Sequence, residues 1–396
     1  MTENYSIPNG FKFAAIGAAI KTQDRDDIAI IYSEIPCVSA GVFTRNVVKS
    51  PSVIYNMERI KNDKAYGFVV NSGNANACTG QQGMNDTIAM SKAVKDGLKI
   101  TDGEVFVCST GVIGVPLPMD RIIPAIKRGV AKIGENSFMD TAKAIMTTDT
   151  FPKIQSKTVE IEGKTVTISG ITKGSGMISP NMATTLSFII TDAVIEKSAL
   201  DKALRESVEQ SFNKITVDGD MSTNDSVMIL ANGVCGNNVI NTDTPQYKKF
   251  KKVLDELTQE LAYMIVKDGE GATKTICIEI NGAETQDGAE RLARKVADSM
   301  LVRTAVYGRD PNWGRIMCAL GGAGVSFDPK KIDIYINGAQ IVANGVGIGK
   351  EKEASKALEA NEIILKVELK EGKYNTKIYT CDLTEDYIKI NAHYTT

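Results

Sequence analysis

Two hydrophobic periods share this chain, and together they confine it to a mixed fold. Between Thr158 and Ile171 the apolar residues alternate, Val159 and Ile161 and then Val166 and Ile168, around Glu162–Gly163, which reads as a hairpin. Farther on, Leu200, Leu204, Val208 and Phe212 return every four residues, the spacing of one apolar helix face. Thr244–Pro245 offers a cap and a first-turn proline ahead of Phe250, Leu254, Leu257, Leu261 and Ile265, so a second helix starts there. Leu292, Val296 and Met300 suggest a third, followed by strand-like runs at 332–336 and 363–369. The short apolar runs Phe68–Val70 and Val105–Val107 each end in a polar, glycine-bearing segment, as buried strands do when they deliver loops to a site. The expected class is α+β, with a smaller α/β lobe at the C-terminal end.

Composition narrows the function. Forty-six basic against 48 acidic residues leave a net charge of −2, so no global field draws the chain to nucleic acid or an anionic bilayer. Apolar runs such as 188–190 and 363–365 are far too short to span a membrane, and the opening MTENYSIPNG carries no basic-then-apolar leader pattern. The expectation is residence in the cytoplasm. Seven scattered cysteines without a CxxC pair read as reduced, mostly buried thiols. The single histidine, His393, lies near the end, so His-based metal sites and Ser–His or Cys–His pairs lack their base.

Acyl chemistry would then need another base. The stretch KGSGMISPNMATTLSFII places Gly174, Gly176 and Pro180 ahead of Ala183–Thr184, and an apolar run resumes at Leu186. Glycine and proline forbid a regular helix through this segment, so the Ala183–Thr184 bond sits at a loop-to-strand junction. If the Thr184 hydroxyl attacked the Ala183 carbonyl, an N-to-O acyl shift and hydrolysis would free Thr184 as a new N-terminus. Its α-amine, with an ordinary pKa of about 8, can activate its own hydroxyl. Local pattern alone also allows Thr184 and Thr185 to be β-branched residues opening a strand.

KGSGMISPNMATTL resembles the autocleavage segment of the ornithine acetyltransferase family, also described as the bifunctional glutamate N-acetyltransferase family. The resemblance continues through NSGNANACTG (71–80), STGVIG (109–114), IMTTDTFPK (145–153), VDGDMSTNDS (217–226), KDGEGATK (267–274), GRDPNWGRI (308–316) and NAHYTT (391–396). It implies a four-layer αββα sandwich like that of self-cleaving N-terminal-nucleophile enzymes, with a catalytic domain over 1–280 and the smaller lobe over 281–396. Thr184 is implied as the nucleophile and Ala183–Thr184 as the scissile bond, giving chains of 1–183 and 184–396 that assemble as an α2β2 heterotetramer. Thr185 stands where the family often carries Met, so two adjacent threonines compete for the role. Thr110 and Gly111 match the oxyanion hole; Thr147, Lys173, Glu270, Asn391 and Thr396, with Thr184, match substrate-binding positions. Lys173 suits the substrate α-carboxylate and Glu270 the ornithine ammonium.

The implied reaction is ping-pong transfer of an acetyl group from N-acetylornithine to glutamate, with no metal or organic cofactor and with acetyl-CoA as a candidate co-substrate. Three other readings stand beside it: a bifunctional enzyme that also uses acetyl-CoA, a related self-cleaving aminopeptidase or amidase in which water takes the acyl group, and an uncleaved binding protein. GEGATKT (269–275) lacks the glycine a phosphate loop needs before its lysine, and GGAGVS (321–326) reads as a tight turn rather than a dinucleotide fingerprint.

Overall fold

The computed structural model describes residues 5–179 and 185–393. They divide into two compact units, one of residues up to 213 with 220–265, the other of 214–219 with 266 onward. This seam precedes the boundary drawn at 280 from the sequence.

In the first unit the elements run β1 (Phe11–Ile16), β2 (Ile28–Phe43), α1 (Pro51–Arg59), β3 (Ala65–Asn74), α2 (Gly80–Leu98), β4 (Glu104–Val112), α3 (Met119–Ala131), α4 (Phe138–Ala144), β5 (Lys153–Ile161), β6 (Lys164–Lys173), β7 (Leu186–Thr191), α5 (Lys197–Glu209), β8 (Ser226–Ala231) and α6 (Pro245–Lys267). Strand order among the described residues is β4-β3-β2-β8-β7-β6-β5, with β1 also on β2. The long β2 joins two sheets: residues 28–32 pair with β3, residues 38–43 with β8. The break falls around Glu34, Ile35 and Pro36, all exposed; proline there has no N–H to donate to a ladder.

The two sheets pack face to face. Phe68 of β3 meets Phe188 of β7 with ring centroids 5.0 Å apart, inside a core that also holds Ile31, Phe106, Ile171 and Met228. The outer face of the β1–β4 sheet, with Ile30, Val69 and Val107, buries Tyr55, Met90, Val94, Ile122 and Ile126 of α1–α3. On the far side Gly170 of β6 lies against Leu257 and Leu261 of α6. The layers are therefore helix, sheet, sheet, helix, the arrangement expected of an αββα sandwich.

The hairpin forms as its alternation predicts. Ile161 pairs with Lys164, and Glu162 and Gly163 both take positive φ, 52° and 77°, as a two-residue turn between right-twisted strands requires. Helix α6 begins at Pro245, where the cap and proline place it.

The second unit continues with β9 (Thr275–Ala283), α7 (Gln286–Ala297), α8 (Met300–Tyr307), α9 (Trp313–Gly321), β10 (Asp333–Ile336), β11 (Ala339–Ala343), β12 (Val346–Gly347), α10 (Glu351–Ala357), β13 (Glu362–Glu368), β14 (Tyr374–Cys381) and α11 (Glu385–His393). Its mixed sheet runs β12-β11-β10-β13-β9-β14, with one parallel pair, β13 on β9. Leu292 and Val296 of α7 pack into its core. Met300 does not share their face: Ser299 caps a new helix there, accepting from the Val302 amide, and Met300 is 70% exposed. The cysteines also depart from expectation, since Cys37, Cys108 and Cys381 are buried but Cys78 and Cys318 are exposed. No helix among the described residues is long and apolar enough to cross a membrane.

Candidate active site

Within the first unit, the ends of β4 and β6 meet across the two sheets. β3 and β4 run parallel and finish on Gly73 and Gly111, opposite each other in register. Gly111 has φ +132°, and a Cβ on it would lie 2.2 Å from the Gly73 carbonyl carbon; only glycine permits this approach. An irregular register follows between Gly73 and Asn74, the kind of bulge that re-aims a strand end. It leaves Thr110 half-buried at the tip, where its Oγ1 accepts from Lys173 Nζ at 3.2 Å.

Lys173 closes β6, and beneath it sits a carboxylate with every neighbour a donor. Asp149 Oδ1 accepts from Lys153 Nζ at 2.6 Å and from the Gly174 amide at 2.8 Å. Its Oδ2 accepts from the Thr147 amide at 2.9 Å. Both side chains of the Asp149–Lys153 pair are fully shielded from solvent. Burial pushes the Asp149 carboxyl up, but the charges of Lys173 and Lys153 and these hydrogen bonds outweigh it, and the pKa falls to about 2. The paired anion thereby ties Thr147, Gly174 and the field of Lys173 into one rigid corner.

Behind that corner lies a run of buried hydroxyls. Thr185 Oγ1 donates to the Lys173 carbonyl at 2.5 Å, Thr172 Oγ1 is 2.7 Å from it, and Ser187 Oγ is 2.6 Å from Thr172 Oγ1. All three hydroxyl residues are buried. The hydroxyl of Thr185 is thus held inside the sandwich.

In the second unit, Glu270 is 8% exposed and its Oε2 accepts from Asn391 Nδ2 of α11 at 2.8 Å. The loop bearing Glu270 and the start of α11 approach closely. A Cβ on Gly271, at φ +68°, would lie 2.6 Å from the Tyr387 amide nitrogen, and Thr384 Oγ1 donates to the Gly271 carbonyl at 2.7 Å. Among the described residues Glu270 has no ion-pair partner.

The structure therefore brings together Thr110, Gly111, Thr147 and Lys173 in one unit, and Glu270 with Asn391 in the other. Ala183, Thr184 and Thr396 lie outside the described residues. The sequence reading gives no role to Asp149, Lys153, Thr185, Asn224 or Asp225, although IMTTDTFPK and VDGDMSTNDS contain four of them. A polar residue inside a motif but named for nothing was the available signal.

A model of the ArgJ family matches residues 12–396. The arginine biosynthesis bifunctional protein ArgJ of Caldanaerobacter subterraneus subsp. tengcongensis is 45% identical over 395 residues, covering 98% of each chain. That of Geobacter sulfurreducens is 46% identical over 389 residues, covering 98% of this chain and 99% of the relative. Among solved structures, the arginine biosynthesis bifunctional protein ArgJ of Bacillus halodurans superimposes with a TM-score of 0.51 at 41% identity, covering 52% of this chain and 98% of that one. With both units inside the matched span, the chain belongs to the ArgJ family.

Proposed function

We propose that this chain is an acetyltransferase of arginine biosynthesis, passing the acetyl group of N-acetylornithine to glutamate through an ester on Thr184 after cleaving itself at Ala183–Thr184. The relatives' name, arginine biosynthesis bifunctional protein, supports the pathway. The observation that carries the chemistry is the Lys173–Thr110 contact, 3.2 Å between strand ends of opposite sheets, beside a Thr185 hydroxyl whose proton already goes to a backbone carbonyl. Thr185 being so held, Thr184 is the threonine left to act.

In the cycle, the Thr184 hydroxyl, relieved of its proton by the freed α-amine, attacks the acetyl carbonyl. Thr110 and Gly111 supply donors to the oxyanion, ornithine leaves as its nitrogen takes the proton, and acetyl-Thr184 remains. The glutamate amine then attacks the ester, releasing N-acetylglutamate and restoring the hydroxyl. Lys173 meets the substrate α-carboxylate, and Glu270, a shielded carboxylate with an amide partner but no cation, meets the side-chain ammonium of ornithine. Thr147, Asn391 and Thr396 complete substrate contact. Neither metal nor organic cofactor takes part. The cleaved chains, 1–183 and 184–396, pair as an α2β2 heterotetramer in the cytoplasm.

The test is N-terminal sequencing of the fragments on a denaturing gel, with mass analysis after exposure to N-acetylornithine. A fragment beginning at Thr184 that gains one acetyl group is expected; a single intact band from active enzyme would overturn the reading. The relatives' description as bifunctional favours a second reading, that glutamate is also acetylated from acetyl-CoA. Product formation from acetyl-CoA and glutamate alone would establish it, and its absence would leave transfer as the sole activity.

A further inference from the structure

VDGDMSTNDS contains a carboxyl that the cycle above does not use. Asn224 pins this segment to the end of β4, its Nδ2 donating to the Ala75 carbonyl at 2.6 Å and the Ser109 carbonyl at 2.8 Å. The following residue, Asp225, is fixed from both sides: its carbonyl accepts from the Thr44 amide, and the Ser226 amide donates to the Thr185 carbonyl at 2.9 Å. β7 and β8 are parallel with Leu186 opposite Ser226, so Asp225 stands level with Thr185 where the chain enters β7. It is 2% exposed, and its Oδ2 has no hydrogen-bond partner. A buried carboxyl oxygen without a donor costs stability, so its retention beside the junction asks for a purpose.

We infer that Asp225 carries the proton of the scission step, one carboxyl oxygen taking the Thr184 hydroxyl proton while the other delivers a proton to the nitrogen of the Ala183–Thr184 bond. The Oγ–carbonyl bond forms, the carbonyl–nitrogen bond breaks, and the carboxyl ends as it began. Water then cleaves the resulting ester, releasing the Ala183 carboxylate and restoring the Thr184 hydroxyl. The step needs an acid that is still protonated. Burial lifts the Asp225 carboxyl well above its ordinary range against the opposing pull of Ser222, Lys173 and Thr44, and Asp149, which also feels Lys173, is held as the anion. Two carboxyls pushed apart in this way divide acid from anion.

This inference rests on scission at Thr184, and the experiment separates the two. Freshly synthesised full-length chain is followed on denaturing gels as wild type, Thr184→Ala, Asp225→Asn and Asp225→Glu, with a thermal melt of each. Thr184→Ala that still splits removes the nucleophile reading itself. With that control intact, Asp225→Asn should slow scission about 100-fold or more without a lower melting temperature, and Asp225→Glu should recover much of the rate. Asp225→Asn splitting at the wild-type rate overturns the inference. Should the amide variant fail to fold, Asp225→Glu decides: scission in the folded acid supports the shuttle, and a folded acid that stays intact rejects it.

Discussion

Asp149 and Asp225 are sealed in the same unit and both feel the charge of Lys173, yet they settle in opposite states. Around Asp149 every approach is a donor: Lys153 Nζ and the amides of Thr147 and Gly174. Around Asp225 one oxygen has no donor. Burial is alike, so the difference lies in how many lone pairs are met. A carboxylate whose oxygens are satisfied stays charged in the interior; one left short holds its proton instead. The first suits a structural anchor and the second a group that must exchange protons.

The harshest way to break the comparison is to take one member from the Asp149–Lys153 pair. Asp149→Ala leaves an uncompensated buried ammonium and two unmet amides, which should cost about 3–5 kcal/mol. Urea unfolding in a Thr184→Ala background, where scission does not vary between samples, measures it. The pH dependence has a definite sign. The folded pKa of Asp149, about 2, lies below the ordinary value of about 3.9. Its contribution is therefore whole above pH 4 and is lost as pH falls toward 2. Asp149→Asn should flatten stability across that window, and an unchanged acid profile would mean the carboxylate is not the anchor described here.

Next in size is Thr110→Ala. It removes the hydroxyl that accepts from Lys173 and that is proposed to face the oxyanion, while leaving the Asp149 corner intact. A loss of about 10²- to 10³-fold in kcat is expected, with the urea midpoint little changed. A fall in stability with kcat preserved would reassign Thr110 to the fold.

The second unit supplies a third kind of buried carboxylate. Glu270 has an amide donor from Asn391 but no cation among the described residues, which fits a group awaiting the substrate's ammonium. Glu270→Gln should lower kcat/KM for N-acetylornithine by about 10- to 100-fold, the scale of one charge-assisted contact of roughly 1.5–3 kcal/mol. Deacetylation of preformed acetyl-Thr184 by glutamate should change less. Equal losses in both half-reactions would show that Glu270 does not discriminate between them.

Such distinctions are where sequence reading runs out. The hairpin at 153–173 was legible because alternation and a positive-φ pair at Glu162–Gly163 are local facts. Helix α6 was legible from its cap. Met300 misled because spacing alone continued the α7 face, while Ser299 had already begun another helix. The crossing of β2 between sheets, and with it the four-layer sandwich, depends on partners some 35 to 200 residues away. So does the state of each aspartate: Asn224 and Asp225 acquire their surroundings from Ala75, Ser109 and Thr185, none of which is near them in the chain. Thr110, Gly111, Thr147 and Lys173 were legible only through the resemblance of their motifs. Nothing in the spacing of Thr110 and Lys173 announces a contact.

The smallest expected effect is also the one most able to sharpen the contrast, because its sign differs from the rest. The Asp225 carboxyl is raised in the folded state and ordinary in the unfolded chain, so above pH 4 the unfolded chain gives up this proton while the folded one keeps it. Folding then carries a cost that grows with pH until the folded carboxyl itself titrates. Asp225→Asn removes the titration and keeps the shape. The amide variant should therefore be about 1 kcal/mol more stable than the parent at neutral pH and equal to it near pH 3, measured by urea unfolding in the same Thr184→Ala background. Stabilisation at neutral pH combined with slow scission in the cleavable chain would mean that the fold carries a strained acid for the sake of its chemistry. Destabilisation at both pH values would instead place Asp225 beside Asp149, as a second anchor.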